Sequence, residues 1–353
     1  MSDSYNAILI LSFGGPEGMA DVMPFLENVT RGRNVPRERL LEVAKHYEMF
    51  GGVSPINQQN RELIAALEKE LASKGPELPV YWGNRNWHPF LADTLEQMRK
   101  DGIKRAIAFV TSAFSSYSSC RQYLDDISRA QEKVGEGVAL IDKIRPFYNH
   151  PLFLECNLES LRGMLAQIDT GHAKDAHIVF TAHSIPNAMS QGCDYAAQLK
   201  EFASLLAEAV GSNNWHLAYQ SRSGPPQVPW LEPDILDKIR SLNDEGVKDI
   251  VVHPIGFVSD HMEVIYDLDH EAKDLCDELG IRLHRVKTPG ADPIFIEMIR
   301  QLILERTGTE SARPSVGSLG ALPDKCIDNC CPSGSRPASA AAPSRESKLG
   351  GER

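Results

Sequence analysis

The sequence contains no apolar run that approaches the roughly 18 to 20 residues needed to span a bilayer. Its amino terminus has no basic stretch followed by a long apolar segment, so a secretion signal is not expected. Acidic residues outnumber basic ones, 48 against 37, and no stripe of Lys and Arg is present that could neutralise phosphates. We therefore expect a soluble cytoplasmic protein without a nucleic-acid partner or a transmembrane segment, for which peripheral membrane contact stays open.

Cysteine is also scarce, with 7 in 353 residues, but its distribution is uneven. Cys326, Cys330 and Cys331 crowd near the carboxyl terminus with the spacing C-x3-C-C. In a chain without a secretion signal, such crowding favours metal ligation over disulfide bonding. A zinc site and unliganded thiols are the alternatives.

Short β-rich runs alternate with amphipathic helical segments through most of the chain, as in the βαβ units that build parallel sheets. The length and the 42% hydrophobic content suit two domains, each with its own core. The predicted strands are residues 6–12, 79–83, 105–112, 139–142, 176–183, 216–220, 249–257 and 282–286. The clearest helix, residues 60–73, places Leu63, Ala66, Leu67 and Leu71 on one face.

The two halves of the chain repeat short motifs, which indicates two similar domains. The matched pairs are 8–16 with 178–186, 82–85 with 219–222, and 102–104 with 246–248. The first match places Phe13 opposite His183, each at the carboxyl end of a strand. We predict an α/β protein with two similar Rossmann-like domains, each built on a parallel four-stranded sheet, facing each other across a cleft.

The expected boundaries are residues 1–148 for the first domain and 149–310 for the second, with a last helix that can pack back on the first domain. Residues 311–353 form a cysteine-containing extension and tail. From residue 332 the tail is rich in Ser, Ala, Pro and Gly, so it cannot bury enough apolar surface to order itself.

Glu263, Asp267 and Glu271 recur at every fourth position directly after a predicted strand. In a helix they would line one face, where like charges repel unless a cation or transferable protons lie beside them. A solvated surface is the ordinary alternative, but no Lys or Arg interrupts this acidic stripe before Lys273. We expect the stripe at the carboxyl edge of a sheet, where open α/β proteins place their sites.

His183 ends the predicted strand 176–183. A histidine on a buried strand is often only a hydrogen-bonded core residue. At a strand terminus, however, an imidazole can titrate near neutral pH or bind a divalent metal. Facing Glu263, it would form a pair of base and carboxylate across the cleft.

Seven motifs, taken together, resemble those of the ferrochelatases, enzymes that insert ferrous iron into a porphyrin without a nucleotide. The motifs are residues 11–17 (LSFGGPE), 28–33 (NVTRGR), 51–57 (GGVSPIN), 84–89 (NRNWHP), 181–186 (TAHSIP), 220–225 (QSRSGP) and 259–269 (SDHMEVIYDLD). Within the family, residues 46–52 (HYEMFGG) and 111–123 (TSAFSSYSSCRQY) look most similar to the coproporphyrin III ferrochelatases of actinobacteria. The resemblance implies a chelatase-type fold and a product that a downstream enzyme of the haem pathway receives and decarboxylates.

The resemblance also implies roles for the titratable residues. His183 and Glu263 would face each other across the porphyrin plane, as the catalytic pair and as metal ligands. Iron cannot enter until two pyrrole N–H protons leave, and a neutral imidazole can accept them. Asp267 and Glu271 would continue the path for cations or protons.

Porphyrin faces are apolar and their propionates are anionic, so apolar walls with a few polar donors are expected. The candidates for porphyrin binding are Phe13, Arg31, Tyr47, Ser54, Tyr117 and Arg121. Tyr117 and Arg121 could instead cap and solvate a helix. The chain departs from relatives at Phe13, where many carry a tyrosine that can approach the metal, and at His46, where several carry an arginine near a propionate.

Some ferrochelatases hold a [2Fe-2S] cluster on three carboxyl-terminal cysteines and one far upstream. The resemblance makes Cys156 the upstream ligand, with Cys326, Cys330 and Cys331 as the other three. Cys120, Cys193 and Cys276 are expected to be ordinary core or surface thiols.

Other functions stay open at this point. Protoporphyrin IX could replace coproporphyrin III as the substrate, or the chain could insert another metal into another tetrapyrrole, such as cobalt into sirohydrochlorin. A carrier of tetrapyrrole or iron would need neither a proton acceptor nor a relay, which argues against it. Residues 14–18 (GGPEG) only loosely resemble a phosphate loop, because Pro16 removes a backbone donor.

Overall fold

The computed structural model describes residues 4–168, 175–327 and 330–334. Its first sheet contains four parallel strands in the order β2-β1-β3-β4. The strands are β1 (Ala7–Ser12), β2 (Val80–Asn84), β3 (Arg105–Val110) and β4 (Leu140–Lys143). Strand β1 is buried along its whole length, which explains its unbroken apolar sequence, because a strand covered on both faces has no solvated side. The accompanying helices are α1 (Met19–Val29), α2 (Arg37–Glu48), α3 (Ile56–Lys74), α4 (Leu91–Lys100) and α5 (Gln122–Val134).

The second sheet repeats this arrangement, with parallel strands in the order β6-β5-β7-β8. The strands are β5 (His177–His183), β6 (Trp215–Gln220), β7 (Asp249–His253) and β8 (Arg282–Arg285). The helices are α6 (Pro151–Leu165), α7 (Asn187–Ser190), α8 (Tyr195–Ala209), α9 (Ile235–Asp244), α10 (Met262–Tyr266), α11 (Lys273–Leu279) and α12 (Pro293–Thr307). None of the helices within the described ranges is both long and apolar enough to cross a membrane.

The predicted fold is confirmed: all eight predicted strands are present, and they form two four-stranded parallel sheets. The repeated motifs also fall on equivalent strands. Residues 8–12 lie in β1 and residues 178–182 lie in β5. Residues 82–84 end β2, and residues 219–220 end β6. The prediction for β7 was too long. Pro254 has no amide hydrogen to continue the ladder, and the chain turns there, with the Phe257 amide donating to the Pro254 carbonyl at 3.1 Å.

Each half also carries a π-helical turn in the segment after its third strand. Residues Tyr117–Arg121 form the first π turn, which leads into α5. Residues Asp267–Ala272 form the second π turn, which joins α10 to α11. Such turns are rare and frequently lie at functional sites.

The chain after α12 runs back over both halves as an ordered segment, at least as far as the described residues extend. Val316 donates its amide to the Asn149 carbonyl at 2.8 Å, and the Asn149 side chain donates to the Gly320 carbonyl at 2.7 Å. The wholly buried Arg145 pairs with Glu305 of α12 at 2.8 Å and donates to the Pro314 carbonyl. Most of the predicted disordered tail, residues 335–353, lies outside the described residues.

Candidate active site

His183 lies at the carboxyl end of β5 with its ring orientation fixed by the backbone. Its Nδ1 is hydrogen-bonded to the Ser184 carbonyl, and the Tyr195 hydroxyl donates to the carbonyl of His183 itself at 3.1 Å. Because a carbonyl can only accept, Nδ1 keeps its proton and Nε2 is the atom that titrates. Nε2 lies 3.6 Å from Oε1 of Glu263.

Glu263 reaches this position because the loop after β7 crosses close over the end of β5. A Cβ atom at Gly256 would lie 2.5 Å from the Cβ of Ala182, so only glycine permits this approach. Helix α10 begins at Met262, where Nδ1 of the capping residue His261 accepts the amide hydrogen of Glu263 at 3.2 Å. The same imidazole nitrogen lies 3.8 Å from Oε2 of Glu263.

Burial by itself would lower the pKa of His183, but Glu263, helped by the Ser184 carbonyl and the charge of Asp267, raises it to about 9. Burial would likewise raise the pKa of Glu263, but the charge and hydrogen bond of His183 bring it down to about 2. At neutral pH the two groups therefore form an imidazolium and carboxylate pair. The side chains are 31% and 48% exposed, so solvent screens part of both pKa shifts and the pair is open to a ligand.

Asp267 lies behind this pair, at the start of the second π turn. It accepts hydrogen bonds from the hydroxyl of Ser221 and from Nε2 of Gln220, the latter at 3.3 Å. Burial raises its pKa to about 7, against the lowering effect of Ser221, and the charges of Glu263 and Glu271 add to the rise. Asp267 can therefore exchange a proton near neutral pH.

The carboxylates of the acidic stripe influence one another along the second π turn, since the charge of Glu271 raises the pKa of Asp267. Burial raises the pKa of Glu271, its hydrogen bond with Tyr266 lowers it, and the charge of Asp234 raises it further. Asp234 thus extends the stripe. Across the described residues, no three or more His, Cys, Asp or Glu side chains are grouped so as to hold a metal ion.

An aromatic wall borders the pair on the side of the first half. Phe13 follows β1, with its ring centroid 6.3 Å from that of Phe25, which also contacts Tyr47 and Trp87 edge to face. Met262, next to Glu263, packs into the same apolar cluster. His46 stacks on Tyr266, with ring centroids 3.8 Å apart, so a stacked ring pair also joins the two halves here.

The other predicted porphyrin-binding residues have different surroundings. Arg31 is exposed after α1, and Ser54 is buried against Gly15, where an added Cβ would lie 2.8 Å from the Ser54 hydroxyl. Tyr117 is half-buried at the start of the first π turn. Arg121 is ion-paired with Asp125, one helical turn further, at 3.0 Å.

Of the cysteines, the three carboxyl-terminal ones lie together and Cys156 lies apart from them. The sulfur atoms of Cys330 and Cys331 are 3.5 Å apart, and the thiol of Cys326 lies near that of Cys330. Cys156 lies on α6 in the hydrophobic core, where its contacts include Asp292 and the backbone of Phe295. Cys120, expected to be an ordinary thiol, is instead in contact with Cys326.

Sequence reasoning did not select three residues that shape the site: Gln220, Ser221 and His261. All three lie in motifs that were recognised, 220–225 and 259–269. His261 could have been found, because a histidine two residues before Glu263 can cap the amino terminus of the helix that carries this carboxylate. Ser221 gave no signal, because its left-handed conformation, with φ 61°, has no signature in the sequence.

Two parallel-sheet halves with this pair at the strand ends define a two-domain chelatase. Among solved structures, the cobalt complex of the sirohydrochlorin chelatase SirB from Bacillus subtilis has the same fold, with a TM-score of 0.52 at 12% identity over 87% of this chain and 97% of that one. The ferrochelatase family model matches residues 5–307. The chain belongs to the ferrochelatase family.

The similar curated relatives align over almost their whole length. A ferrochelatase of Rhodopirellula baltica is 54% identical over 93% of each chain. A coproporphyrin III ferrochelatase of Streptomyces coelicolor is 49% identical over 96% of this chain and 97% of its own length. A coproporphyrin III ferrochelatase of Mycobacterium tuberculosis is 48% identical over 93% of this chain and 97% of its own length.

Proposed function

We propose that this protein inserts ferrous iron into coproporphyrin III and releases two protons in doing so. The observation that carries the proposal is the His183 and Glu263 pair, with Nε2 and Oε1 3.6 Å apart beside an aromatic wall. The coproporphyrin III ferrochelatases among the relatives support the choice of porphyrin. Four propionates on that porphyrin would also suit donors at the rim such as the exposed Arg31.

The proton balance decides how the pair can act. The raised pKa means that His183 already carries a proton when the cleft holds no substrate. A divalent cation bound near Glu263 would lower the pKa of His183, because the cation would replace the imidazolium as the partner of the carboxylate. Entry of ferrous iron would thus drive the Nε2 proton of His183 to Asp267 and on to solvent, and the neutral Nε2 would then accept a pyrrole proton.

Protons must then leave the site, and Asp267 is the group suited to pass them on. A pKa of about 7 allows it to take up and release a proton at neutral pH without a large free-energy step in either direction. Ser221 and Gln220 hold the carboxylate in place by hydrogen bonds. Glu271 and Asp234 extend the acidic path beyond it.

The aromatic wall has a binding role in this proposal. The half-buried Phe13 and Trp87 present apolar surface to a flat macrocycle, while the buried Phe25 and Tyr47 pack behind them. The titratable pair lies on the other half. Phe13 has no atom that could ligate iron, so the first half contributes contact area and shape. Binding a bent macrocycle better than a flat one would expose the nitrogen lone pairs to the incoming ion.

An anaerobic assay with ferrous iron tests the proposal, with coproporphyrin III and protoporphyrin IX each supplied alone. We expect the kcat/KM for coproporphyrin III to be the higher, by about tenfold or more, since each propionate left without its donor costs a charge-assisted hydrogen bond. A preference for protoporphyrin IX would overturn the choice of substrate only. Failure to metallate either porphyrin would overturn the chelatase function.

We further propose that the carboxyl-terminal cysteines hold a [2Fe-2S] cluster, for which thiolates are the usual ligands. The sulfur atoms of Cys330 and Cys331, 3.5 Å apart, support this, although no three cysteines among the described residues are already arranged as a metal site. The fourth ligand implied by the family resemblance does not fit, because Cys156 is packed in the core of the second half. The proposed test is the visible absorption and the iron and sulfide content of the protein purified without oxygen.

A further inference from the structure

Two carboxylates of the motif 259–269 bind a single guanidinium. Nη1 and Nη2 of Arg285, the last residue of β8, donate to Oδ1 and Oδ2 of Asp260 at 3.1 and 3.2 Å. Nε of the same side chain lies 2.5 Å from Oδ1 of Asp269. The hydroxyl of Thr288 also donates to Asp260, at 3.1 Å. Arg285 therefore joins two points of one segment to an edge strand of the second sheet.

These two carboxylates flank the two that face the chemistry of the site. Asp260 lies just before α10, and Asp269 lies within the second π turn. Glu263 and Asp267 lie between them in the sequence. The motif thus contains two kinds of carboxylate: one kind balances the charge of a guanidinium, and the other kind is left for the cation and the protons.

This segment depends on contacts with its surroundings, because helical hydrogen bonding cannot hold it in place alone. Helix α10 has 5 residues, far fewer than the roughly 12 to 15 that an isolated helix needs in water. The π turn that follows interrupts the regular hydrogen-bond pattern of an α-helix. The position of Glu263 relative to Asp267 is therefore set by the side chains that bind the segment from outside.

Other contacts hold the same segment from different directions. Gln220, on the opposite edge strand β6, donates Nε2 to the Glu263 carbonyl at 2.9 Å. In the first half, Oε1 of Gln59 on α3 accepts the amide hydrogen of Asp260 at 2.8 Å. Loss of the Arg285 side chain would leave both of these contacts in place. The segment would then loosen on the side of β8 and remain attached elsewhere.

Arginine suits this position by its shape as well as by its charge. The planar guanidinium offers five N–H donors in a fixed arrangement, so it can bind one carboxylate through both Nη atoms and a second one through Nε. A lysine ammonium carries the same charge on one nitrogen atom and cannot fix two carboxylates at set positions. The side chains of Arg285 and Asp260 are 20% and 16% exposed, so solvent screens this contact only in part.

We propose that Arg285 is a positioning residue for metal insertion, because it holds the segment that carries Glu263 and Asp267. By binding Asp260 and Asp269 at once, it would fix both ends of that segment. The proposal rests on the proposed chelatase function. A displacement of about 1 Å can cost about 10²-fold in rate, so even a small shift of this segment would slow the reaction.

Anaerobic kinetics of Arg285→Ala and Arg285→Lys in the full chain test the proposal. We expect kcat to fall by about 10²-fold in Arg285→Ala and by about tenfold in Arg285→Lys, which keeps the charge without the planar donors. The KM for coproporphyrin III should stay within about twofold of the parental value, because the aromatic wall is unchanged. Parental kcat in either variant would overturn the proposal, and in Arg285→Lys alone it would assign the effect to charge.

Arg282→Ala is the matched control, because Arg282 lies on the same strand and binds Asp249 through Nε at 2.6 Å. Its loss removes a partner from a carboxylate that is only 4% exposed. We expect a lower thermal midpoint with parental kcat. An equal fall in kcat in Arg282→Ala and Arg285→Ala would assign the effect to a general weakening of β8 and would overturn the proposal.

A double variant tests whether Arg285 acts through Asp269. Asp269→Asn alone should lower kcat by about threefold to tenfold. Combined with Arg285→Ala, it should cause no further loss, because both changes break the same contact. Losses that multiply in the double variant would overturn the proposal. If Arg285→Ala does not fold, the same cycle is measured with Arg285→Lys.

Hydrogen exchange of the amides in residues 260–272 provides a readout that does not depend on turnover. We expect faster exchange there in Arg285→Ala than in the parent, with parental exchange in β5 and β6. Parental exchange in residues 260–272 would overturn the proposal. A parent protein that metallates neither porphyrin would overturn the chelatase function and with it the role in metal insertion, whereas the exchange would still show whether Arg285 holds the segment.

Discussion

The two halves of the molecule share strand order and a π turn, yet the equivalent strands β1 and β5 end in side chains of opposite chemistry. Phe13 follows β1 and packs among aromatic rings. His183 ends β5 and pairs with Glu263. The fold thus fixes where these side chains lie, and in the proposed function single residues at those positions would decide which half binds porphyrin and which half reacts.

Among the variants that test this division between a binding half and a reacting half, we expect the largest effect from His183→Ala. We expect anaerobic metallation to fall by about 10²- to 10⁴-fold, because the variant loses the acceptor for the pyrrole protons. Porphyrin binding, measured by absorbance titration, should be retained, because the aromatic wall belongs mainly to the other half. Turnover near the parental rate would end the catalytic assignment of His183.

The acidic stripe should show a gradient of effects along its length. Glu263→Gln should reduce kcat by about 10²-fold, since it removes the charge that faces His183. Glu271→Gln is the matched control and should cost only a few-fold, because its carboxylate lies beyond Asp267. Steady-state kinetics of both variants provide the measurement, and equal, negligible losses would return the stripe to a solvated surface.

The pH profile tests the relay. With a pKa of about 7, Asp267 is protonated in acid and accepts protons only as the pH rises through that value. The kcat of the parent should therefore rise with pH through about 7, and Asp267→Asn should lower the plateau about tenfold and flatten that rise. A parental pH profile in Asp267→Asn would show that this carboxylate carries no protons.

The smallest effect is expected at Phe13, the residue equivalent to His183. Phe13→Leu should change kcat/KM by about threefold, the value of one lost aromatic contact. Phe13→Tyr adds a hydroxyl without removing the ring and should retain parental turnover. A loss as large as that of His183→Ala in Phe13→Leu would mean that the halves do not divide binding and reaction.

The sequence was sufficient for the fold because its signals are local. Strand β1 is buried on both faces and reads as an apolar run. The end of β7 was predicted too late, although Pro254 marks it. The pairing of His183 with Glu263 followed from their positions after the carboxyl ends of two predicted strands and from the family resemblance. The ion pair of Arg121 with Asp125 was also readable, since it spans a single helical turn.

The contact of Cys120 with Cys326 could not be predicted in the same way. It joins segments far apart in sequence, and nothing in either segment specifies the partner. The two π turns were equally hidden, because a shift in backbone hydrogen bonding leaves composition and apolar spacing almost unchanged. Family resemblance selected Cys156 for the cluster because it aligns positions along the chain and carries no information on packing.

The buried pair of Arg145 and Glu305 affects how the chain folds as it leaves the ribosome. Arg145 has no exposed side-chain surface, and its partners Glu305 and Pro314 are synthesised long after it. A nascent first half cannot bury that guanidinium without cost until α12 has emerged, because an unpaired buried charge is strongly destabilising. We therefore expect the first half to complete its folding only after α12 has been synthesised, and a chain arrested earlier to leave Arg145 unpaired and be more susceptible to proteolysis.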